Sequence, residues 1–173
     1  MISPSEQHKR EAPNSISCLV VTVSDTRTPE TDASGRQIRQ LLEEHGHRVA
    51  GYRIVPDEYG TIAALLADAA QDETVEAILL NGGTGIAARD VTIEAVRGVL
   101  HKEMPGFGEL FRYLSYAEDI GPAAMLSRAI AGTIGRKAVF AMPGSTGAVK
   151  LAMTRLILPE LGHVIREIRK SHS

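Results

Sequence analysis

The stretch Val75-Glu76-Ala77-Ile78-Leu79-Leu80-Asn81-Gly82-Gly83-Thr84-Gly85 sets the architecture of this chain. Val75–Leu80 is apolar at every position but Glu76, the pattern of a strand covered on both faces. It passes directly into three glycines within five residues. Glycine takes φ > 0 without strain and lets backbone N–H groups approach an anion with no side chain between them. A buried strand that exits into such a turn, with a helix beyond, is the centre of a βαβ unit.

The same alternation continues on both sides. Toward the N-terminus lie a helix over Thr61–Ala70, a strand over Val49–Val55, a helix over Ala33–His45 and a strand over Ile16–Val23. Gly46 is placed to stop the second of those helices. Toward the C-terminus, Thr92–Leu100 is predicted to be a helix with Thr92 as N-cap. Glu109–Tyr116 and Ala123–Ile130 are predicted as two further helices parted by Gly121-Pro122, and Lys137–Met142 as the fourth strand. Helices over Thr146–Leu158 and Pro159–Lys170 close the chain. The expectation is one doubly wound, three-layer α/β domain over 16–173 with a mostly parallel sheet, behind a disordered polar tail at 1–15.

Composition narrows the function. The 173 residues carry 19 Lys+Arg against 21 Asp+Glu, for a formal charge of −2, which argues against a dedicated nucleic-acid surface. A lone cysteine, Cys18, excludes a disulfide framework, a CxxC pair and a Cys-rich zinc site, and fits a reducing cytoplasm. The six histidines show no HxH or HExxH spacing. No apolar run reaches the ~18 residues of a membrane span. Ile16–Val23 is too short and too β-branched for a signal-peptide core and lacks a cleavage pattern, so an exported protein is not expected.

Ligands of doubly wound sheets sit beyond the carboxyl ends of the strands. The residues there are Ser24-Asp25, Pro56-Asp57-Glu58, the glycine loop and Pro143-Gly144-Ser145. Gly82–Gly85 is either a phosphate cradle or a tight turn. It is not a Walker A loop, because the chain has no Gly-Lys pair. Gly83-Thr84-Gly85-Ile86-Ala87-Ala88 matches a dinucleotide fingerprint only formally, since it follows the third strand and no acidic strand end comes after it. Asp90, just ahead of a helix, is either a cap or a carboxylate for Mg²⁺ beside bound phosphates; Asp57 is either a Pro-Asp turn or the second such carboxylate. Gly144-Ser145 offers N–H groups and a hydroxyl at a helix start, or simply caps that helix.

Thr22-Val23-Ser24-Asp25, Pro56-Asp57-Glu58, Gly82-Gly83-Thr84-Gly85 with Arg89-Asp90-Val91-Thr92, Lys102–Arg112, Leu126-Ser127-Arg128-Ala129 and Met142-Pro143-Gly144-Ser145 together resemble the MoaB/MogA family of molybdenum-cofactor biosynthesis, over about residues 16–165. The Glu109–Tyr116 stretch and the Met-Pro-Gly-Ser ending look more like the MoaB branch. The resemblance implies a molybdopterin-binding fold, a homotrimer or homohexamer, and transfer of the adenylyl group of Mg·ATP to molybdopterin. It implies Asp57 and Asp90 as the essential, Mg²⁺-holding aspartates and Gly82, Gly83, Thr84 and Gly85 as the nucleotide-phosphate loop. It further implies Ser24, Asp25, Glu109, Ser127, Gly144 and Ser145 as pocket positions, and a hand-off to the molybdate-inserting enzyme. Asn81 departs from the Thr or Ser more usual there. The alternative within the same resemblance is a carrier that binds molybdopterin without chemistry.

Overall fold

The computed structural model describes residues 13–170. Most of the expected tail, 1–12, lies outside the described residues. In chain order the elements are β1 (Ser17–Val23), α1 (Ala33–Glu44), β2 (Arg48–Val55), α2 (Tyr59–Gln71), β3 (Ala77–Asn81), α3 (Thr92–Val99), β4 (Lys102–Glu103) and α4 (Pro105–Glu118). A 3₁₀ turn (Gly121–Leu126), β5 (Ile130–Ile134), β6 (Lys137–Met142), α5 (Thr146–Ala152) and α6 (Leu158–Lys170) complete them.

One six-stranded sheet runs in the order β2-β1-β3-β6-β5-β4. The first four strands of that order are parallel, whereas β5 and β4 are antiparallel to their neighbours. Helices cover both faces, so every residue of β1, β3 and β6 is buried. Successive side chains of a strand point to opposite faces. Val20 and Leu79 accordingly pack with Ile38, Phe111, Val149 and Leu161 under α1, α4, α5 and α6, while Val21 and Leu80 pack with Ile62, Leu66 and Val96 under α2 and α3. The chain leaves β1 for β2 on one side and returns to β3 on the other. The crevice outside this reversal, where β1, β3 and β6 end, is where such a sheet binds its ligand.

Three expectations are corrected. Ala123–Ile130 is not a helix: Gly121-Pro122 starts a single 3₁₀ turn, Ser127 is extended at φ −81° and ψ 130°, and the chain enters β5. β5 pairs with β6 through a two-residue turn opened by Gly135 at φ +57°. Lys137–Met142 is therefore the sixth strand, not the fourth. Second, Thr92 is the first residue of α3 and does not cap it; Val91 holds the cap position and supplies no side-chain bond. Third, the last two helices are one. Pro159 has no N–H for the preceding turn, and the helix passes it by widening into a π turn at Met153–Ile157.

Candidate active site

Two clefts open at the exits of β1, β3 and β6. The first, about 540 Å³, is bordered by Ser24, Thr26, Arg27, Ser34, Gly82, Gly144, Ser145 and Thr146. Its floor is a chain of hydrogen bonds. Asn81, from β3, donates to Thr22 Oγ1 at 2.9 Å, and Thr22 donates to Asp32 Oδ2 at 2.6 Å. The Tyr52 hydroxyl donates to the same carboxylate oxygen, and Arg39 stacks 4.2 Å above the Tyr52 ring. Asp32 Oδ1 caps α1 by accepting the Gly35 N–H at 2.9 Å. The Asn81 amide nitrogen thus turns to β1, where it also donates to Val21 O at 3.3 Å.

Burial pushes the Asp32 carboxyl up, but hydrogen bonds from Thr22, Tyr52 and the Gly35 N–H outweigh it and hold the group below its ordinary value of 3.8. A carboxylate lowered by folding adds stability above its unfolded pKa and loses it as pH falls through the folded one. Asp32→Asn loses the charge and one of two acceptor oxygens, since Oδ1 takes the Gly35 N–H and Oδ2 takes Thr22 and Tyr52, and the amide NH2 would face donors on one side. It is expected to cost about 1 kcal/mol at pH 7. Urea unfolding of both proteins should show that gap narrowing only as the pH falls below 3.8. A gap that stayed constant into acid would mean the Asp32 charge contributes nothing.

The second cleft, about 320 Å³, lies on the other side of the same glycines. Gly82–Gly85, Asp90, Leu126, Ser127, Arg128, Pro143 and Gly144 line it. Gly82 and Gly83 take φ of +95° and +65°. A methyl on Gly144 would lie 3.1 Å from the Gly82 α carbon, so the two glycine stretches touch backbone to backbone and form the wall between the clefts. Arg128, itself on the wall of this cleft, anchors the loop. Its Nε donates to Thr84 O at 3.0 Å and its Nη2 to Gly85 O at 2.6 Å and Asp90 O at 3.4 Å. Its remaining donors pair with Glu94, whose carboxyl they lower. With these carbonyls engaged, the loop is held by a fork that lysine cannot reproduce. Arg128→Lys should lower the melting temperature by about 4 °C, for about 1–2 kcal/mol lost. Calorimetry checks this, and an unchanged melting point would show that the loop holds itself.

The two aspartates flank the loop. Asp90 Oδ2 accepts the Ala87 N–H at 3.1 Å, and a methyl on Gly85 would sit 2.5 Å from that oxygen. Asp90 does not cap α3. Asp57 Oδ1 accepts the Val91 N–H at 3.2 Å, and the Asp57 N–H donates to Asp25 Oδ1 at 2.9 Å. Arg89 pairs with the other oxygen of Asp25. Burial, joined by the charges of Asp90 and Asp25, pushes the Asp57 carboxyl up. Among the described residues no three His, Cys, Asp or Glu side chains come together to hold a metal. A cation at Asp57 and Asp90 would need further oxygens from a bound ligand.

Most of the expected site residues therefore meet. Ser24, Gly144 and Ser145 border the first cleft, the glycine loop, Asp90 and Ser127 the second, and Asp25 and Asp57 lock together beside them. Ser145 also caps α5 through Ala148, and Ser24 accepts the Thr26 and Arg27 N–H groups, so both hydroxyls serve their own loops as well. Glu109 is different: it lies exposed on α4 and borders neither cleft. Sequence reasoning missed Asp32, Thr92 and Arg128 as site residues. The one legible trace was Arg128, a lone cation in the apolar stretch Ala123–Ile130.

The family described as "Probable molybdopterin binding domain" matches residues 19–163, most of the chain. The chain belongs to the MoaB/MogA family. Among its relatives, molybdenum cofactor biosynthesis protein B of Halalkalibacterium halodurans is 65% identical over 95% of this chain and 97% of its own length. The protein of the same name from Bacillus subtilis is 59% identical over the same shares. A crystal structure of a molybdenum cofactor biosynthesis protein B superposes with a TM-score of 0.90 at 58% identity, covering 92% of this chain and 99% of that one. The tungsten cofactor synthesizing protein MoaB from Pyrococcus furiosus reaches 0.81 at 37% identity, over 91% and 99%. The mostly parallel sheet with its antiparallel β4–β5 edge is thus the MoaB/MogA fold. No helix among the described residues is long and apolar enough to cross a membrane.

Proposed function

We propose that the chain acts in molybdenum-cofactor biosynthesis by transferring the adenylyl group of ATP to molybdopterin. The observation that carries this reading is the pair of clefts sharing Gly82 and Gly144 as their common wall. Two phosphorylated ligands bound on either side would bring their phosphates together at backbone N–H groups, with Asp57 and Asp90 alongside.

The chemistry asks little of protein side chains. An oxygen of the terminal phosphate of molybdopterin attacks the α-phosphorus of ATP, and the bond to the β-phosphate breaks to release pyrophosphate. A phosphate monoester has a second pKa near ~6 and is largely dianionic at neutral pH, so no general base is required. Positioning and charge neutralisation carry the rate. The N–H groups of the loop beyond Gly82 would meet the phosphates, since the Gly82 N–H itself donates to Met142 O at 3.1 Å, and Arg128 fixes that loop. The donor set fits Mg²⁺, which takes one or two carboxylates plus phosphate oxygens. The lack of side chains at Gly83 and Gly85 keeps space beside the Asp57 and Asp90 carboxylates that a methyl would fill. When bound there, Mg²⁺ would supply neutralisation of phosphate charge.

The same proposal includes a homotrimer or homohexamer in the cytoplasm and a hand-off of the product to the molybdate-inserting enzyme. Leu110, Tyr113 and Tyr116 on α4, with Met125 beyond it, leave an exposed apolar strip that suits a second copy. The deciding experiment incubates the purified protein with molybdopterin, ATP and Mg²⁺ and follows adenylyl-molybdopterin by mass. Mg²⁺-dependent adduct supports the transferase. Pterin binding without adduct leaves the carrier.

A further inference from the structure

Thr92 opens α3, and its hydroxyl is the odd group at this site. The residue has 0% solvent exposure. Its N–H is engaged with Gly83 O at 3.0 Å, but Oγ1 has no hydrogen-bond partner among the described residues. Leaving a buried hydroxyl unpaired costs about 1–3 kcal/mol, and valine would fill the same volume without that cost. Packing alone does not account for the choice of threonine.

The hydroxyl faces a definite place. A methyl built on Gly83 would lie 2.3 Å from Thr92 Oγ1 and 2.7 and 2.8 Å from the two carboxylate oxygens of Asp57. Hydroxyl and carboxylate therefore border one gap above the Gly83 α carbon, and the missing side chain leaves it open. Asp57 Oδ1 is held by the Val91 N–H, while Oδ2 accepts no hydrogen bond among the described residues. Val91 and Thr92 are adjacent at the start of α3, so one short segment offers the carboxylate two donors, one already used.

We propose that the Thr92 hydroxyl is the donor that fixes the Asp57 carboxylate when a divalent cation and nucleotide phosphates fill the site. A small rotation of the carboxyl group brings an oxygen onto the hydroxyl, and the opposite oxygen is then held toward the glycine loop. Thr92 is a positioning residue: it touches neither substrate and acts through Asp57. The inference rests on the adenylyltransferase reading.

The test is a Mn²⁺ titration by electron paramagnetic resonance with α,β-methylene-ATP, whose α–β linkage the enzyme cannot cleave. It uses the full chain, Thr92→Val and Thr92→Ser, with thermal melts of each protein free of ligand. Thr92→Val should melt no lower than wild type yet bind Mn²⁺ about tenfold more weakly, the usual scale for removing a partner of a ligating group. Thr92→Ser should recover affinity to within about twofold. Wild-type Mn²⁺ affinity in Thr92→Val overturns the proposal. So does a loss of melting temperature and affinity together that serine fails to restore, which would mark a packing residue. A wild-type protein with no nucleotide-dependent Mn²⁺ binding would overturn the adenylyltransferase reading itself.

Discussion

Asp90→Asn should abolish adenylyl transfer while leaving molybdopterin bound as in the wild type. The Asp90 side chain adds one hydrogen bond to the loop, the Ala87 N–H onto Oδ2, and an asparagine oxygen can accept it equally well. Gly85, whose absent side chain makes room for that group, meets an amide of the same size. The change therefore removes a negative charge and little else. On the proposed reading, transfer from ATP to molybdopterin brings two polyanionic groups together, and Asp90 would be one of the two carboxylates that hold the neutralising cation. A loss of about 4 kcal/mol of transition-state stabilisation corresponds to roughly a thousandfold drop in turnover. Single-turnover adduct formation by mass and pterin binding by fluorescence, measured on the same preparation, separate the two effects. If pterin affinity and turnover fell equally, Asp90 would be a scaffold residue and the charge argument would fail.

The largest loss of stability is expected from Gly82→Ala. Gly82 sits at φ +95°, outside the region an alanine adopts at low cost, and its added methyl would lie 2.3 Å from the backbone oxygen of Val23. The obstacle is the backbone of a fully buried central strand, which cannot swing aside as a side chain would. Strain at such a dihedral costs about 1–3 kcal/mol and forced overpacking a similar amount. Together, about 3–5 kcal/mol is a large part of the ~5–15 kcal/mol that holds a domain folded. The melting temperature should fall by about 10 °C. Gly46→Ala is the matched control: it has φ +80° but nothing within 4 Å of the new methyl, so it carries strain without collision. Equal melting temperatures for the two variants would show that the strand exit relaxes around the methyl.

The parts of the fold that could be read from the chain are those with one dominant local signal. β1, β3 and β6 are buried on both faces and write continuous apolar runs. β4 is two exposed residues, and β5 is Ile-Ala-Gly-Thr-Ile, whose strand character comes from its hairpin partner β6. The preceding Ala-Ala-Met-Leu favours a helix, and tertiary pairing overrides that preference. The site divides in the same way. Strand exits carry small and acidic residues in plain view, so Asp57, Asp90 and the glycines were legible. Asp32 and Thr92 were not, and Arg128 only as a lone cation, because their neighbours lie far away in the sequence: Tyr52 for Asp32, Asp57 across the Gly83 gap for Thr92, and the carbonyls of Thr84 and Gly85 for Arg128. Glu109 shows the converse, a residue carried over by resemblance whose position on α4 keeps it from both clefts.

The backbone-to-backbone contact between Gly82 and Gly144 also bears on how such a protein can change over time. A partition with no side chains has nothing to vary: any substituent enlarging it intrudes on its neighbour, as the 3.1 Å approach at Gly144 makes plain. On the proposed reading, a change of ligand preference would be made on the outer rims, at Thr26, Arg27 and Ser34 on one side and at Leu126 and Ser127 on the other. If the two ligands meet at that wall as proposed, changes at the rims would alter selectivity and leave the place of chemistry untouched.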